Sequence, residues 1–317
     1  MSWPRWLTIP LTWLDYGLVL EVLARLPRPL ARPLTSLRAR VNERWDLDWR
    51  TWALGHGYVR AATLQAMERV LACGSAPPGQ PDAFGLVRQR YLAAAREEVD
   101  SVRLPRIDYA RLPHHIDGLA PLLEAQRAGR GTLLLTAHYD SLYIGLALLA
   151  RAGLRIVLMG TGITEDPRVP PAITRHYLRK KAALNKLLAP GQVVYFEGQL
   201  HTFVRALRRG DVVVMACDGA ATGSDRAEPV DFLDGRYRMA SGAQFFAEAA
   251  RVPVALYSSW EDATGTHQVQ ISQPLTINEG GLQAAYAALH AQLLRDPGRW
   301  WAADQMRDYR SATAATS

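Results

Sequence analysis

Residues Thr132-Leu-Leu-Leu-Thr-Ala137 form a short apolar run that leads directly into His138-Tyr-Asp-Ser141. Before the run, Asp117 can cap a helix, and Gly129 and Gly131 can end it. A short apolar run between turn residues predicts a buried β-strand. Active sites of α/β sheets gather at the carboxyl ends of such strands, so the polar residues after this run are the first candidates for chemistry.

The same pattern continues towards the carboxyl terminus, where apolar runs alternate with segments of helical periodicity. The predicted helices are residues 141–152, 171–188, 201–208, 240–250 and 281–294, and the predicted strands are residues 155–159, 193–196, 211–217, 252–259 and 267–271. This alternation predicts an α/β fold with a largely parallel central sheet flanked by helices.

The first hundred residues differ in their hydrophobic pattern, because they show helical periodicity without a strand pattern. Tyr58–Cys73 and Phe84–Val99 predict two helices, and Gly74–Pro81 between them is a loop by composition. We therefore expect two regions, an N-terminal helical, membrane-facing region over residues 1–104 and an α/β domain over residues 105–317.

Composition and motifs exclude several classes of protein. The 317 residues are 49% hydrophobic and 21% charged, as in folded domains. Cys73 and Cys217 lie far apart, which argues against a disulfide scaffold or a cysteine zinc site and favours a reducing compartment. The nucleotide-binding, zinc-protease and nucleophile-elbow motifs are absent. The net charge of +7 suits an acidic partner, and nucleic acid, anionic lipid and an acidic carrier protein all satisfy it.

The N-terminal segment Trp6–Leu26 is apolar and rich in tryptophan, but Pro10, Asp15, Glu21 and Arg25 interrupt it. The arginines that follow are Arg28, Arg32, Arg38, Arg40 and Arg44. One interpretation is an interfacial segment attracted to anionic headgroups, which would make the protein peripheral to a membrane. The other is a helical layer packed on the main domain with a solvated arginine face.

His138 is the leading catalytic candidate, because it follows a buried strand and precedes a helix. An imidazole at that position can act as a general base. Asp140 is the nearest carboxylate in sequence and could orient the ring, or it could simply cap the helix. The remaining histidines lack partners at metal-ligand spacing, so no metal site is predicted.

Three segments together resemble the lysophospholipid acyltransferase superfamily, and most closely its bacterial lipid A secondary (lauroyl or myristoyl) acyltransferases and the related phosphatidylinositol-mannoside acyltransferases. The segments are Thr136–Gly145, Val204–Gly219 and Val230–Arg236. The similar order of segments extends from about Ala120 to Tyr309 and includes an ending with Pro297, Trp300 and Trp301.

The resemblance implies an acyltransferase that moves an acyl chain from an acyl carrier protein or coenzyme A thioester to a hydroxyl or amine of a lipid-like acceptor. His138 would deprotonate the acceptor, and a backbone or arginine donor would stabilise the oxyanion. No metal or redox cofactor is implied, and no nucleic acid. An anionic membrane surface, on the cytoplasmic side of the bacterial inner membrane, is the implied location, with the apolar helices over residues 1–30 and 58–73 facing it.

The sequence departs from the family pattern at one important position. The family has an aspartate or glutamate five positions after the histidine, and Tyr143 stands there in this chain. Three explanations remain open: Asp140 supplies the carboxylate, Glu197 supplies it from another strand end, or the activity is lost or changed. A non-catalytic acyl-chain or lipid-binding protein and a thioesterase-like hydrolase are therefore the alternative functions.

Five residues are candidates for substrate binding. They are Ser141, Tyr143, Asp218, Arg226 and Arg236. Asp218 matches the acidic residue at the end of the family's central strand, although a loop cap would have the same position. The two arginines could meet phosphate or carrier-protein carboxylates.

Overall fold

The computed structural model describes residues 4–53, 59–73, 79, 81–162, 166–220, 227–275 and 281–312. The N-terminal helices are α1 (Arg5–Thr12), α2 (Leu20–Arg25), α3 (Arg28–Trp45), α4 (Trp49–Ala53), α5 (Val59–Ala72) and α6 (Ala83–Arg103). A π-helical stretch over Trp13–Val19 joins α1 to α2, so residues 5–25 run as one helix.

Strands first appear after Arg106, and most of them are separated by helices. The strands are β1 (His114–Asp117), β2 (Thr132–Thr136), β3 (Ile156–Gly160), β4 (Gln192–Tyr195), β5 (Val212–Ala216), β6 (Ala227–Phe232), β7 (Gly235–Ala240), β8 (Val254–Glu261) and β9 (His267–Ile271). The helices are α7 (Leu119–Arg127), α8 (Leu142–Arg151), α9 (Pro171–Leu188), α10 (Leu200–Arg208), α11 (Gly242–Ala250) and α12 (Gly281–Arg295).

Seven strands form one sheet in the order β1-β9-β8-β2-β5-β3-β4. Neighbouring strands are parallel except for β8 and β9, which are antiparallel. The register of β2 and β5 pairs Thr136 with Ala216, so the residues that follow these two strands emerge side by side. This adjacency is what positions the candidate site.

Both faces of the sheet are covered. Leu133 and Leu135 of β2 pack in the cluster that contains Phe203 and Phe246, whereas Leu134 packs in the cluster formed with α8 and α9. Because alternate side chains of a strand point to opposite faces, a strand buried on both faces must be apolar throughout. The predicted α/β class with a largely parallel, helix-covered sheet is confirmed.

Two features of the fold were not predicted. His114–Asp117 is an edge strand rather than a loop, and Gly118 rather than Asp117 lies at the N-cap of α7. Residues 227–240 form the antiparallel hairpin β6–β7, outside the main sheet. Neither has the apolar run of a buried strand, because both expose many of their side chains. The predicted linker 74–81 lies almost entirely outside the described residues.

The N-terminal helix is anchored through one face. Tyr16, Leu20 and Leu23 pack in a cluster with Val99 and Ile173. Beside them lies a buried ion cluster, in which Arg38 binds Asp15 at 2.5 Å and Glu98 at 2.6 Å. Arg38 is therefore part of the protein interior, and the prediction that it belongs to an exposed arginine face is wrong.

The other face of this helical layer is exposed and apolar. Leu14, Leu18 and Val22 are exposed on the first helix, and Leu30, Leu34 and Leu37 are exposed on α3. The stretch Trp6–Arg25 is long and apolar enough to cross a membrane by length and composition, and one third of it is buried within the protein. The described positions of α5 that are exposed carry alanine or polar side chains, so the expectation that residues 58–73 also face a membrane gains no support from this helix.

Candidate active site

His138 and Asp218 meet where β2 and β5 end. The imidazole Nδ1 of His138 lies 2.8 Å from Oδ1 of Asp218, and the backbone N–H of His138 donates to Oδ2 over 2.8 Å. Each residue comes two positions after its strand, so the parallel register brings them together. The carboxylate thus fixes both the ring and the main chain of the histidine.

The surroundings of Asp218 hold this carboxylate in place. The indole of Trp300 donates to its Oδ2 over 2.7 Å, and the hydroxyl of Tyr309 donates to its backbone oxygen over 2.7 Å. One residue earlier, the backbone oxygen of Cys217 accepts a hydrogen bond from Tyr286 over 2.9 Å. Helix α12 and the chain after it therefore build one wall of the site.

The electrostatics of the pair favour a charged acid beside a histidine that can take up a proton. Burial by itself raises the pKa of Asp218, but the charge of His138 and the hydrogen bonds from His138 and Trp300 outweigh it and lower that pKa. Burial lowers the pKa of His138, whereas the charge and hydrogen bond of Asp218 raise it, and the net change is upward. With Asp218 ionised, Nδ1 of neutral His138 carries the hydrogen, and Nε2 keeps the lone pair that a general base needs.

Asp140 does not orient His138, and this sequence prediction is wrong. Its carboxylate forms an ion pair with Arg299, and its backbone N–H donates to the Arg299 oxygen over 3.0 Å. Asp140 has a positive φ of 34°, which turns the chain between β2 and α8. Ser141 is the N-cap residue of α8, and its side chain makes no capping hydrogen bond.

Glu197 is also not a hydrogen-bond partner of His138. One of its carboxylate oxygens accepts from the backbone N–H of Gly162 over 3.0 Å, and the residue is exposed. Glu197 and His138 line the same cavity. The acid within hydrogen-bond distance of His138 is Asp218, which was predicted from the sequence as a substrate-binding residue.

Tyr143, at the position of the family's carboxylate, is associated with a buried cation. The Nζ of Lys180 lies 3.7 Å from the centre of the Tyr143 ring and 2.5 Å from Oε1 of Glu97. Lys180 and Glu97 are both buried, and their mutual attraction raises the pKa of the lysine and lowers that of the glutamate against the effect of burial. The site thus holds a neutral phenol and a compensated ion pair at this position.

A cavity of about 910 Å³ opens at His138. Its apolar lining includes Leu142, Leu158, Leu184, Met215, Phe245 and Phe246. Its charged lining includes Arg50, Arg90, Asp48 and Asp304, which form a network of ion pairs between 2.9 and 3.2 Å. A space of this size with both apolar and charged walls suits a ligand that combines a chain with a polar end.

The other predicted binding residues lie apart from this cavity or outside the described chain. The hydroxyl of Ser141 is buried 3.3 Å from that of Ser259. Arg236 is exposed on β7 and lies 3.8 Å from Asp231. Neither belongs to the described lining of the cavity. Arg226 lies outside the described residues.

Sequence reasoning missed Lys180, Glu97 and the roles of Trp300 and Arg299. One signal was available for Lys180, because the chain has three lysines and all of them fall within α9. Within the described ranges, no group of three or more histidine, cysteine, aspartate or glutamate side chains is arranged to hold a metal ion.

These features define an α/β protein with a histidine-aspartate pair at the carboxyl end of its parallel sheet, beside a large apolar cavity. The chain belongs to the bacterial lipid A biosynthesis acyltransferase family, whose pattern it matches over residues 85–295. The family implies an acyltransferase of lipid biosynthesis that acts on a lipid-like acceptor, and its members associate with the bacterial inner membrane. No curated protein matches the chain.

Proposed function

We propose that this protein transfers an acyl chain from a carrier-protein or coenzyme A thioester to a hydroxyl or amine of a lipid-like acceptor, with His138 as general base. The observation that carries the proposal is the 2.8 Å contact between His138 Nδ1 and the buried carboxylate of Asp218. A buried carboxylate hydrogen-bonded to a histidine at a cavity is the arrangement that a general base uses. The contact also supplies the carboxylate that Tyr143 cannot provide.

The reaction needs one proton acceptor that becomes a proton donor. Nε2 of His138 takes the proton from the acceptor hydroxyl, and the oxygen of that hydroxyl attacks the thioester carbonyl carbon. The imidazolium is stabilised by Asp218. When the carbon-sulfur bond breaks, the leaving thiolate takes the proton from His138, and the acyl chain is left on the acceptor. The step uses no metal or redox cofactor.

The cavity offers separate surfaces to the acyl chain and to the polar part of a ligand. Phe245, Phe246 and Leu184 offer an apolar wall to an acyl chain, while Arg50 and Asp304 lie among the polar lining. Burial of each methylene group of such a chain contributes about 0.8 kcal/mol. The lining is consistent with either donor, so the acyl carrier protein and coenzyme A both remain within the proposal.

We also propose that the protein lies on the cytoplasmic side of the inner membrane as a peripheral protein. The support is the exposed apolar face of the first helix and α3, together with the anchoring of the opposite face through Tyr16 and Leu20. A helix held to the protein along one side favours an orientation in the plane of the membrane.

A screen for acyl transfer tests the proposal directly. Purified protein is incubated with acyl carrier protein thioesters or acyl coenzyme A and a lipid extract, and products are identified by mass spectrometry. We expect an acylated lipid with wild-type protein and at least a hundredfold less with His138→Ala. Equal rates for the two proteins would reject His138 as the base. Release of free fatty acid without an acylated lipid would identify a thioesterase-like hydrolase instead, and binding without turnover would identify a binding protein.

A further inference from the structure

A second cavity, of about 310 Å³, lies at the turn between α2 and α3. Ala24, Leu26 and Arg28 form one wall, and the chain from Arg103 to Pro113 supplies the rest. None of the residues that line it also lines the cavity at His138. It is therefore a separate feature of the molecule.

The lining of this cavity carries an excess of positive charge. The described lining includes four arginines, Arg28, Arg103, Arg106 and Arg111, and one acidic residue, Asp108. The carboxylate of Asp108 is 3.6 Å from Arg111, and both side chains are well exposed to solvent. Guanidinium groups that converge on a concave surface repel one another, and a bound anion relieves that repulsion.

The neighbouring carboxylates Glu21, Asp100 and Glu261 cancel only part of this charge, and Glu261 is paired with Arg32. Arg106 lies 3.7 Å from Glu21, but Glu21 also pairs with Arg25 at 2.7 Å and with Arg179 at 2.9 Å. One carboxylate is thus shared by three arginines. Burial raises the pKa of Asp100 to about 7, against the influence of Arg103 and Arg28, so this carboxyl is only partly ionised near neutral pH.

The wall formed by Arg28 is charged as well. A guanidinium nitrogen of Arg28 lies 3.4 Å from Nε2 of His267. Burial lowers the pKa of His267 to about 4, so at neutral pH the ring is uncharged and leaves the charge of Arg28 intact.

Arg103 is held in position by the end of α2. Its guanidinium donates to the backbone oxygens of Leu23 over 2.7 Å, Ala24 over 3.2 Å and Leu26 over 3.0 Å. These carbonyl groups fix the guanidinium at the cavity wall without neutralising its charge. These three bonds use Nε and Nη2, which leaves Nη1 of Arg103 to donate a charge-assisted hydrogen bond to a phosphate oxygen.

We propose that this cavity binds a phosphate group and that the headgroup phosphate of an anionic membrane lipid is its source. The apolar face favours the lipid source, since Leu18 and Val22 precede the turn and Leu30 and Leu34 follow it, all of them exposed. A bilayer that contacts these side chains brings its phosphates to the level of the turn. The site does not depend on acyl transfer. It adds a specific headgroup contact to the apolar membrane contact proposed above.

Two double variants test the site. Arg106→Gln/Arg111→Gln removes two lining arginines whose side chains are 47% and 89% exposed, so the fold does not depend on them. Arg127→Gln/Arg130→Gln removes two exposed arginines at the end of α7 and changes the net charge equally. In one arm, thermal unfolding is followed with inorganic phosphate and with sodium chloride at the same ionic strength. In the other arm, sedimentation is measured with phosphatidylglycerol and with phosphatidylcholine vesicles.

We expect phosphate to raise the Tm of wild-type protein and of Arg127→Gln/Arg130→Gln. The rise in Tm should be much smaller for Arg106→Gln/Arg111→Gln, because only Arg28 and Arg103 then remain among the lining arginines. Affinity for phosphatidylglycerol vesicles should fall roughly 25-fold in Arg106→Gln/Arg111→Gln and at most about twofold in the control. Loss in the phosphate arm alone supports the site and identifies a free phosphate compound as its ligand. Loss in the vesicle arm alone supports the lipid headgroup.

Equal behaviour of all three proteins in both arms would overturn the proposal. His138→Ala in the same two assays should bind like wild-type protein, because the two cavities share no lining residue. A failure of the phosphate site therefore leaves the proposed acyl transfer untouched, and a failure of acyl transfer leaves the site untouched.

Discussion

The indole N–H of Trp300 donates to Oδ2 of Asp218 over 2.7 Å, and both side chains are fully buried. The same oxygen accepts the backbone N–H of His138. The ends of β2 and β5 and the segment after α12 therefore meet at one carboxylate. Trp300 is far from His138 in sequence, but it helps to hold the carboxylate that positions His138.

Replacement of Trp300 should measure how strongly this contact supports the fold. We expect Trp300→Phe to lower the free energy of unfolding by about 1.5–3 kcal/mol through the lost hydrogen bond to a charged acceptor, in addition to the lost packing. Urea unfolding of Trp300→Phe, Asp218→Asn and the double variant separates the two effects. If Trp300→Phe lowers the free energy of unfolding equally in the wild-type and Asp218→Asn backgrounds, the hydrogen bond between Trp300 and Asp218 contributes nothing to stability.

Asp218→Asn should reduce turnover more than the corresponding substitution of Asp140 or Glu197. An amide cannot stabilise an imidazolium, so we expect kcat/KM to fall by roughly a thousandfold or more. Asp140→Asn and Glu197→Gln are the matched controls, since neither carboxylate contacts His138, and each should cost less than about tenfold. Steady-state acyl transfer, with circular dichroism as a check of folding, decides between them. A greater loss in Asp140→Asn than in Asp218→Asn would contradict the assignment.

The pH dependence follows from the direction of the pKa changes. His138 must be neutral to accept a proton, so kcat/KM should rise with pH through a pKa above the ordinary value of 6.5. Asp218→Asn removes the group that raises this pKa, and the rise should move to lower pH. A rise at the same pH in both proteins would show that another group controls it.

The same pair should contribute to stability within a defined range of pH. The folded pKa of His138 is raised, so its contribution is complete below 6.5 and is lost as pH rises through the folded pKa. The folded pKa of Asp218 is lowered, so its contribution is complete above 3.8 and is lost as pH falls through the folded pKa. The stability difference between wild-type protein and Asp218→Asn should therefore be largest between those two values, as measured by urea unfolding at several pH values.

Much of the α/β fold could be predicted because its strands are buried on both faces. The apolar run at 132–137 and the periodicity of Pro171–Leu188 are strong local patterns, and both elements form where expected. The edge strand His114–Asp117 and the hairpin β6–β7 expose many side chains and carry no such pattern. Local sequence therefore indicates elements that form the core and says little about exposed ones.

The partner of His138 could not be predicted from distance along the chain. Asp140 is two residues away, yet the chain turns and its carboxylate points to Arg299. Asp218 is reached because β5 is the neighbour of β2, and that strand order depends on long-range packing. The matching acidic position in the family pointed to Asp218, but the sequence analysis gave it a binding role.

Membrane association should depend on the exposed leucines of α3. We expect Leu30→Gln/Leu34→Gln to weaken binding to phosphatidylglycerol vesicles, by about 1 kcal/mol or fivefold for each leucine that enters the interface. Leu178→Gln is the control, because Leu178 is similarly exposed on α9. Carbonate or high salt should release much of the wild-type protein from cell membranes. Retention that only detergent overcomes would contradict a peripheral location.

The buried pair of Lys180 and Glu97 gives the last prediction. Lys180→Met leaves the Glu97 carboxylate buried without its cation, and we expect the free energy of unfolding to fall by about 3–5 kcal/mol. Lys180→Met/Glu97→Gln should recover most of that loss, because neither charge is then stranded. The positive charge of Lys180 lowers the pKa of His138, so in the double variant the rise of kcat/KM should move to higher pH, opposite to the change in Asp218→Asn.

Lys181→Met is the matched control for this pair, since its ammonium lies 3.5 Å from the ring centre of Tyr195 and has no ion pair among the described residues. We expect it to cost less than about 1 kcal/mol of stability and to leave the pH profile in place. Urea unfolding and pH-rate profiles of the four proteins provide both readouts. A stable Lys180→Met with the wild-type pH profile would show that the pair neither supports the fold nor influences His138. Recovery of stability without a shift in the profile would restrict the pair to a structural role.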